Sequence, residues 1–190
     1  MESSAYPMLF SPIKVGTTEV KNRVFMPPVS TNLADHGYVT DDLVDHYRAR
    51  AKGGVGLIEV GSAYICDCFD TEPKYHTTTG ACGIWSDEFN PGWQRVAEAC
   101  HKHGAKVAAQ LQLCYEWRAS GSDPLLSYAP SKDVPSGPFV GMPEREYTKE
   151  EIAVVVKQYG EAAKRAKDSG IDIIAVSYTH LRAHETGRNL

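Results

Sequence analysis

Three features of the chain have residue types that could do chemistry. Gln110 lies inside the apolar run KVAAQLQL at 106–113. A primary amide within a buried strand is costly unless paired, and it brings both a donor and an acceptor. Either a ligand edge or neighbouring backbone could take them. Pro27-Pro28-Val29-Ser30 follows a strand-like run. It is either a rigid loop ending in a small hydroxyl or simply a strand terminator, because proline supplies no ladder donor. His180 and His184 stand four apart beside Tyr178, a spacing that suits a metal pair if it falls on a helix. Cys66-Asp67-Cys68 lacks the usual structural metal spacing and reads as two loop thiols. His36, His46, His76, His101 and His103 are scattered, and the last two suit a helix carboxyl end. No His/Cys cluster has zinc spacing.

The elements that must carry these groups follow from turn and cap signals. Residues 13–15 and 19–21 read as a hairpin around Gly16, and 23–26 as a strand stopped by Pro27. Thr40 with Asp41 and Asp42 starts a helix carrying Leu43, Tyr47 and Ala51, which Gly53-Gly54 ends. Residues 55–65 form a nearly continuous apolar run, the pattern of a strand buried on both faces. A second helix begins near Pro91, with Trp93, Val96, Ala97 and Cys100 on one face and Gly104 as its stop. The strand at 106–113 follows. Thr148 and Glu151 form a capping box, with Tyr147 placed to staple onto Ile152. Ile152, Val155, Val156, Tyr159, Ala163 and Ala166 make that helix's predicted apolar face, Gly170 stops it, and 171–174 opens a fourth strand.

Repeated strand–helix–strand units mean a parallel sheet with right-handed crossovers. Both a doubly wound sheet and a (β/α)8 barrel begin this way. The barrel is favoured because no glycine fingerprint follows the first strand and the unusual residues fall after strand carboxyl ends. The Pro-, Gly- and Ser-rich stretch 114–146 far exceeds a usual βα loop of about 2–6 residues and reads as a substrate lid. Composition fits a globular protein: 42% hydrophobic and 23% charged, with 20 basic against 24 acidic residues. The absence of a basic block argues against nucleic acid as a partner. No apolar run approaches the ~18 residues of a membrane span, and no secretory signal opens the chain. Five cysteines without a CxxC pair suit a reducing, cytoplasmic setting.

The stretch LFSPIKVGTTEVKNRVFMPPVS at 9–30 resembles the opening of the Old Yellow Enzyme family, FMN-dependent NADH:flavin oxidoreductases and ene-reductases. HYRARAKGGVGLIEVGSAY at 46–64, GIWSDEF at 83–89 and VAAQL at 107–111 are similar to later segments of that family, in order and spacing. The resemblance implies that Pro27, Pro28, Val29 and Ser30 line the isoalloxazine, with Ser30 at a position that tunes its electronics. It implies that Ser62 is a small residue against the flavin, otherwise an ordinary packed residue, and that Gln110 reads the pyrimidine edge. Asn22 and Arg23 match the family's Lys-Asn-Arg, though Arg23 equally suits a structural ion pair at the barrel bottom. The implied cofactors are FMN and NAD(P)H, and the implied substrate is a small unsaturated carbonyl compound. The segment after Gln110, Leu111-Gln112-Leu113-Cys114, departs from relatives that continue with His and then Gly-Arg. The substrate contacts of that loop do not transfer.

The fourth strand is where the family places its proton-handling motif, and there the pattern fails. Residues 176–186, VSYTHLRAHET, read like the conceptual translation of a transposase-type sequencing adapter. The expectation is therefore that the His180/His184 pair is not a metal site and that 175–190 is a non-native tail. Residues 1–174 then form the first half of a TIM (β/α)8 barrel, roughly four βα units with an N-terminal capping hairpin, since a complete barrel needs ~250 residues. No catalytic residue is assigned within the chain. Any iron–sulfur cluster or FAD belongs to a missing C-terminal part. A non-flavin barrel enzyme of lyase or aldolase type is the alternative, as is an inactive half-barrel.

Overall fold

A computed structural model describes residues 5–66, 80–113, 128–129 and 145–176. The chain opens with the hairpin β1 (Ile13–Val15) and β2 (Thr18–Val20), paired antiparallel around Gly16 at φ +58°. Asn22 then anchors the hairpin. Its Nδ2 donates to Gly54 O at 2.8 Å and its Oδ1 accepts from Val24 N at 3.1 Å. Arg23 is exposed and donates from Nε to Ser11 Oγ, so no carboxylate pairs with it among the described residues.

Five parallel strands form the main sheet: β3 (Phe25–Met26), β4 (Leu57–Tyr64), β5 (Cys82–Gly83), β6 (Lys106–Gln112) and β9 (Ile173–Val176). The order is β3-β4-β6-β9, with β5 joined to the carboxyl end of β4. Helices α1 (Asp41–Lys52) and α2 (Asn90–His101) cross between β3, β4 and β6, and α3 (Lys149–Asp168) leads to β9. The α/β class and parallel sheet follow the sequence reading. Two pairs at 128–129 and 145–146, β7 (Tyr128–Ala129) and β8 (Arg145–Glu146), make a short parallel ladder. The rest of the proposed lid lies outside the described residues. So do Cys68, His76, Cys114, Tyr178, His180 and His184.

The helix signals act where they were read. Thr40 accepts from Leu43 N at 3.2 Å, and Gly54 takes φ +102° after α1. Thr148 and Glu151 close their capping box at both bonds. Trp93, Val96, Ala97 and Cys100 are all buried beside Leu43, Tyr47, Ile58 and Val60, which forms the core between helices and sheet. No helix among the described residues is long and apolar enough to cross a membrane.

Three local expectations differ. The first strand is two residues long, because Pro27 and Pro28 end it at once, and pairing resumes only as a bridge between Ser30 and Gly61. The buried face of α3 is Ala162 and Ala166 with Val155, Tyr159 and Ala163, while Ile152 and Val156 are exposed. Small alanines let α3 approach closely, and the bulkier residues of its first turns overhang the packed surface. The last strand begins later than expected and runs to Val176, paired through Leu111↔Val176.

Candidate active site

All strands of the sheet run the same way, so their carboxyl ends share one rim, the end at which parallel α/β sheets place their ligands. On β4 the ladder to β6 steps from Val60↔Ala109 to Ala63↔Leu111. Gly61 and Ser62 therefore stand opposite the single residue Gln110. A bulge of this kind bends the strand and re-aims its side chains, and such bulges are common beside active sites. The Ser30–Gly61 bridge brings the loop after β3 onto the same point. A Cβ at Gly61 would lie 2.6 Å from Pro28 Cβ and 3.4 Å from Gln110 Oε1. Only glycine allows that approach of loop and strand.

Pro28, Ser30, Ser62 and Gln110 thus converge around Gly61. Pro27 and Val29, in the same loop, are exposed. A cavity of about 140 Å³ opens at this rim, lined by Ser30, Asn32, Gly61, Ser62, Tyr64 and Gln112 among others. Gln110 sits outside that lining. Gln112, two residues on and on the same face by the strand's period of two, is in it.

Among the described residues the amide of Gln110 has one partner. Its Nε2 donates to Glu59 Oε1 at 3.3 Å. Among the described residues no group donates to its Oε1. Burial pushes the Glu59 carboxyl above its ordinary value, and the bond from Gln110 pulls partly the other way. Glu59 escaped the sequence reading, although the argument that singled out Gln110 applies equally to a carboxyl in the run VGLIEVGSAYI. Gln112 stands in the same apolar run as Gln110 and carried the same signal, whereas Asn32 and Tyr64 carried none. Asn32 reaches the cavity through the loop after β3, and Tyr64 and Gln112 as the last residues of β4 and β6. Cys82 lines it as well, but burial pushes its thiol up to about 12. It stays protonated near neutrality and is a wall residue rather than a nucleophile.

The opposite rim is built differently. Asp172 accepts from Lys106 Nζ at 2.7 Å, from Val107 N at 2.9 Å and pairs with His101 Nε2 at 2.7 Å. These contacts join α2, β6 and the approach to β9 at the amino ends of the strands, away from the cavity.

A parallel βα repeat whose polar groups gather over a glycine-centred bulge at the strand carboxyl ends is the architecture of an α/β enzyme with its ligand site on that rim. The chain belongs to the NADH:flavin oxidoreductase / NADH oxidase family, whose pattern matches residues 8–180. It is 37% identical over 169 residues to the metal reductase of Desulforamulus reducens, covering 89% of this chain and 24% of that protein. It is 33% identical over 175 residues to the NADPH dehydrogenase of a Geobacillus species, covering 91% and 48%. Its structure is similar to Old Yellow Enzyme from a Pichia species, with TM-score 0.67 and 26% identity over 90% of this chain and 46% of that one. The chain thus spans between about a quarter and a half of the proteins it matches. The family is one of NAD(P)H-dependent flavin oxidoreductases, and it implies FMN as cofactor.

Proposed function

We propose that this chain supplies the flavin-facing N-terminal part of an FMN-dependent oxidoreductase that moves hydride from NADH or NADPH to an activated alkene. The observation that carries the reading is the acceptor of Gln110, unused among the described residues and set beside Gly61 where Pro28, Ser30 and Ser62 converge. These residues fit one edge of a flat, hydrogen-bonding ring. Pro28 closes the loop onto the strand, Ser30 and Ser62 offer hydroxyls, and Gln110 offers a carbonyl oxygen. FMN, when bound, supplies two-electron chemistry, taking hydride from a nicotinamide and giving it to an electron-poor carbon.

The chain's own residues bind and orient rather than transfer protons. Cys82 is held neutral, and Glu59 is engaged with Gln110. The proton donor and the groups that polarise a substrate carbonyl are assigned to the native fourth-strand segment whose place residues 175–190 take. The likeness to Old Yellow Enzyme supports a small conjugated carbonyl compound as the substrate class. Anaerobic mixing of the FMN-loaded full-length protein with NADPH or NADH tests the reading. Bleaching of the flavin band, reversed by an α,β-unsaturated ketone or aldehyde, is the expected result. A colourless protein that gains no flavin band from added FMN contradicts it.

We also propose that residues 175–190 are a non-native tail and that the native enzyme continues as the second half of a barrel. The pairing of β9 through Val176 is main-chain pairing, which an Ala-Val sequence supports in either case. Reading the source gene through this point tests the idea. A continuation with His-x-x-His or His-x-x-Asn near β9 supports it, and an unbroken genomic VSYTHLRAHET contradicts it.

A further inference from the structure

We infer that Glu59 is a positioning residue: it fixes which end of the Gln110 amide is presented to the ligand, and so selects a ring N–H as the group Gln110 recognises. The inference rests on the reading that Gln110 faces the FMN edge. Glu59 pairs across the sheet with Ala108, and Gln110 lies two residues further along β6 on the same face. The contact joins Gln110 Nε2 to Glu59 Oε1 at 3.3 Å. An ionised carboxylate only accepts hydrogen bonds. It therefore captures the NH2 end of the amide and turns the carbonyl end, Oε1, towards Gly61. A glutamine without this partner could rotate its amide by half a turn and present N–H groups instead.

The choice matters because the pyrimidine edge of a flavin carries a single imide N–H between two carbonyl oxygens. A glutamine held with its carbonyl forward meets the N–H. One held with its NH2 forward meets a carbonyl. Glu59 lies level with Ala108, two residues further from the carboxyl rim than Gln110, and bonds to the Gln110 amide, so it acts on the ligand through Gln110. An apolar residue at 59 would suit the surrounding run LIEVG equally well as a strand, so the strand by itself does not call for a carboxyl.

The test uses the full-length protein and two probes, FMN and FMN methylated at the imide nitrogen, with affinities from flavin fluorescence and folding from thermal melting. Wild type should bind FMN at least ~10-fold more tightly than the methylated probe, the loss expected when a buried acceptor is left unpaired. Glu59→Leu should weaken FMN binding ~10-fold, leave the methylated probe nearly unchanged and so collapse the discrimination. Glu59→Gln, whose own carbonyl can accept from Gln110, should keep FMN affinity within ~3-fold of wild type. Glu59→Ile, better suited to a strand, replaces Glu59→Leu should the latter not fold. Unchanged discrimination in a folded Leu or Ile variant overturns the inference, as does an equal loss in Glu59→Gln. A wild-type protein that binds neither probe overturns the underlying FMN reading instead.

Discussion

Glu59 and Asp172 are two carboxyls on neighbouring parts of the sheet whose environments move them in opposite directions. For Glu59 burial dominates, and its carboxyl lies above the ordinary 4.5. The folded protein then holds this proton more tightly than the unfolded chain does. Its contribution to stability is full below about 4.5 and is lost as pH rises through the folded-state value. Glu59→Gln should remove that decline, so chemical denaturation should show the variant gaining on wild type as pH rises from 4 towards neutrality. A parallel pair of stability profiles would show that burial does not disfavour the charge. Gln110 was legible because an amide in an apolar run must find a partner. Its pairing with Glu59 and the two-for-one bulge at Gly61 were not, because they depend on how β4 and β6 are registered against each other.

Elements are held by groups at their ends. At Asp172 burial alone would push the carboxyl up, but Lys106, the Val107 amide and His101 together outweigh it and hold it below the ordinary 3.8. Its contribution is therefore full above that value and fades as pH falls through the folded-state value. Asp172→Asn should cost about 1.5–3 kcal/mol at neutral pH, as expected for charge-assisted bonds at a side chain 12% exposed. It should also flatten the acid limb of the stability curve, and urea melts at several pH values measure both effects. Thr148→Ala, which opens the capping box of α3, should cost about 1 kcal/mol, read in the same melts. The helices were legible because caps, stops and a 3.6-residue period are local. The buried face of α3 was not, since alanines 162 and 166 are chosen by the closeness of the packing and not by hydrophobic bulk. β5 has only two residues and is held by its pairing with β4, which no local pattern announces.

At the scale of the molecule, the sheet has two ends. Among the described residues β3 and β9 each pair on one side only. Phe25, Ile174 and Val176 on those strands are 47%, 40% and 43% exposed. Open parallel edges carrying apolar side chains favour pairing with another chain. The 190-residue chain is therefore expected to self-associate, with an apparent mass in light scattering that rises with concentration. A monomer that melts cooperatively across the same range would contradict this. The repeated βα pattern made the parallel sheet and barrel-type rim visible from sequence, and the family's residues 8–180 bear out the resemblance. The stretch 114–146 had no comparable signal for strands or helices, because its Pro-, Gly- and Ser-rich composition sets no period.

The central claim is that the rim formed by Pro28, Ser30, Gly61, Ser62 and Gln110 binds one edge of FMN. It is tested most directly by titrating the full-length protein and its Gln110→Leu variant with FMN while following flavin fluorescence. The account predicts saturable binding by wild type and an affinity at least ~10-fold weaker in a variant with an unchanged melting temperature. Equal affinity in the two proteins, or no binding by a folded wild type, would contradict it.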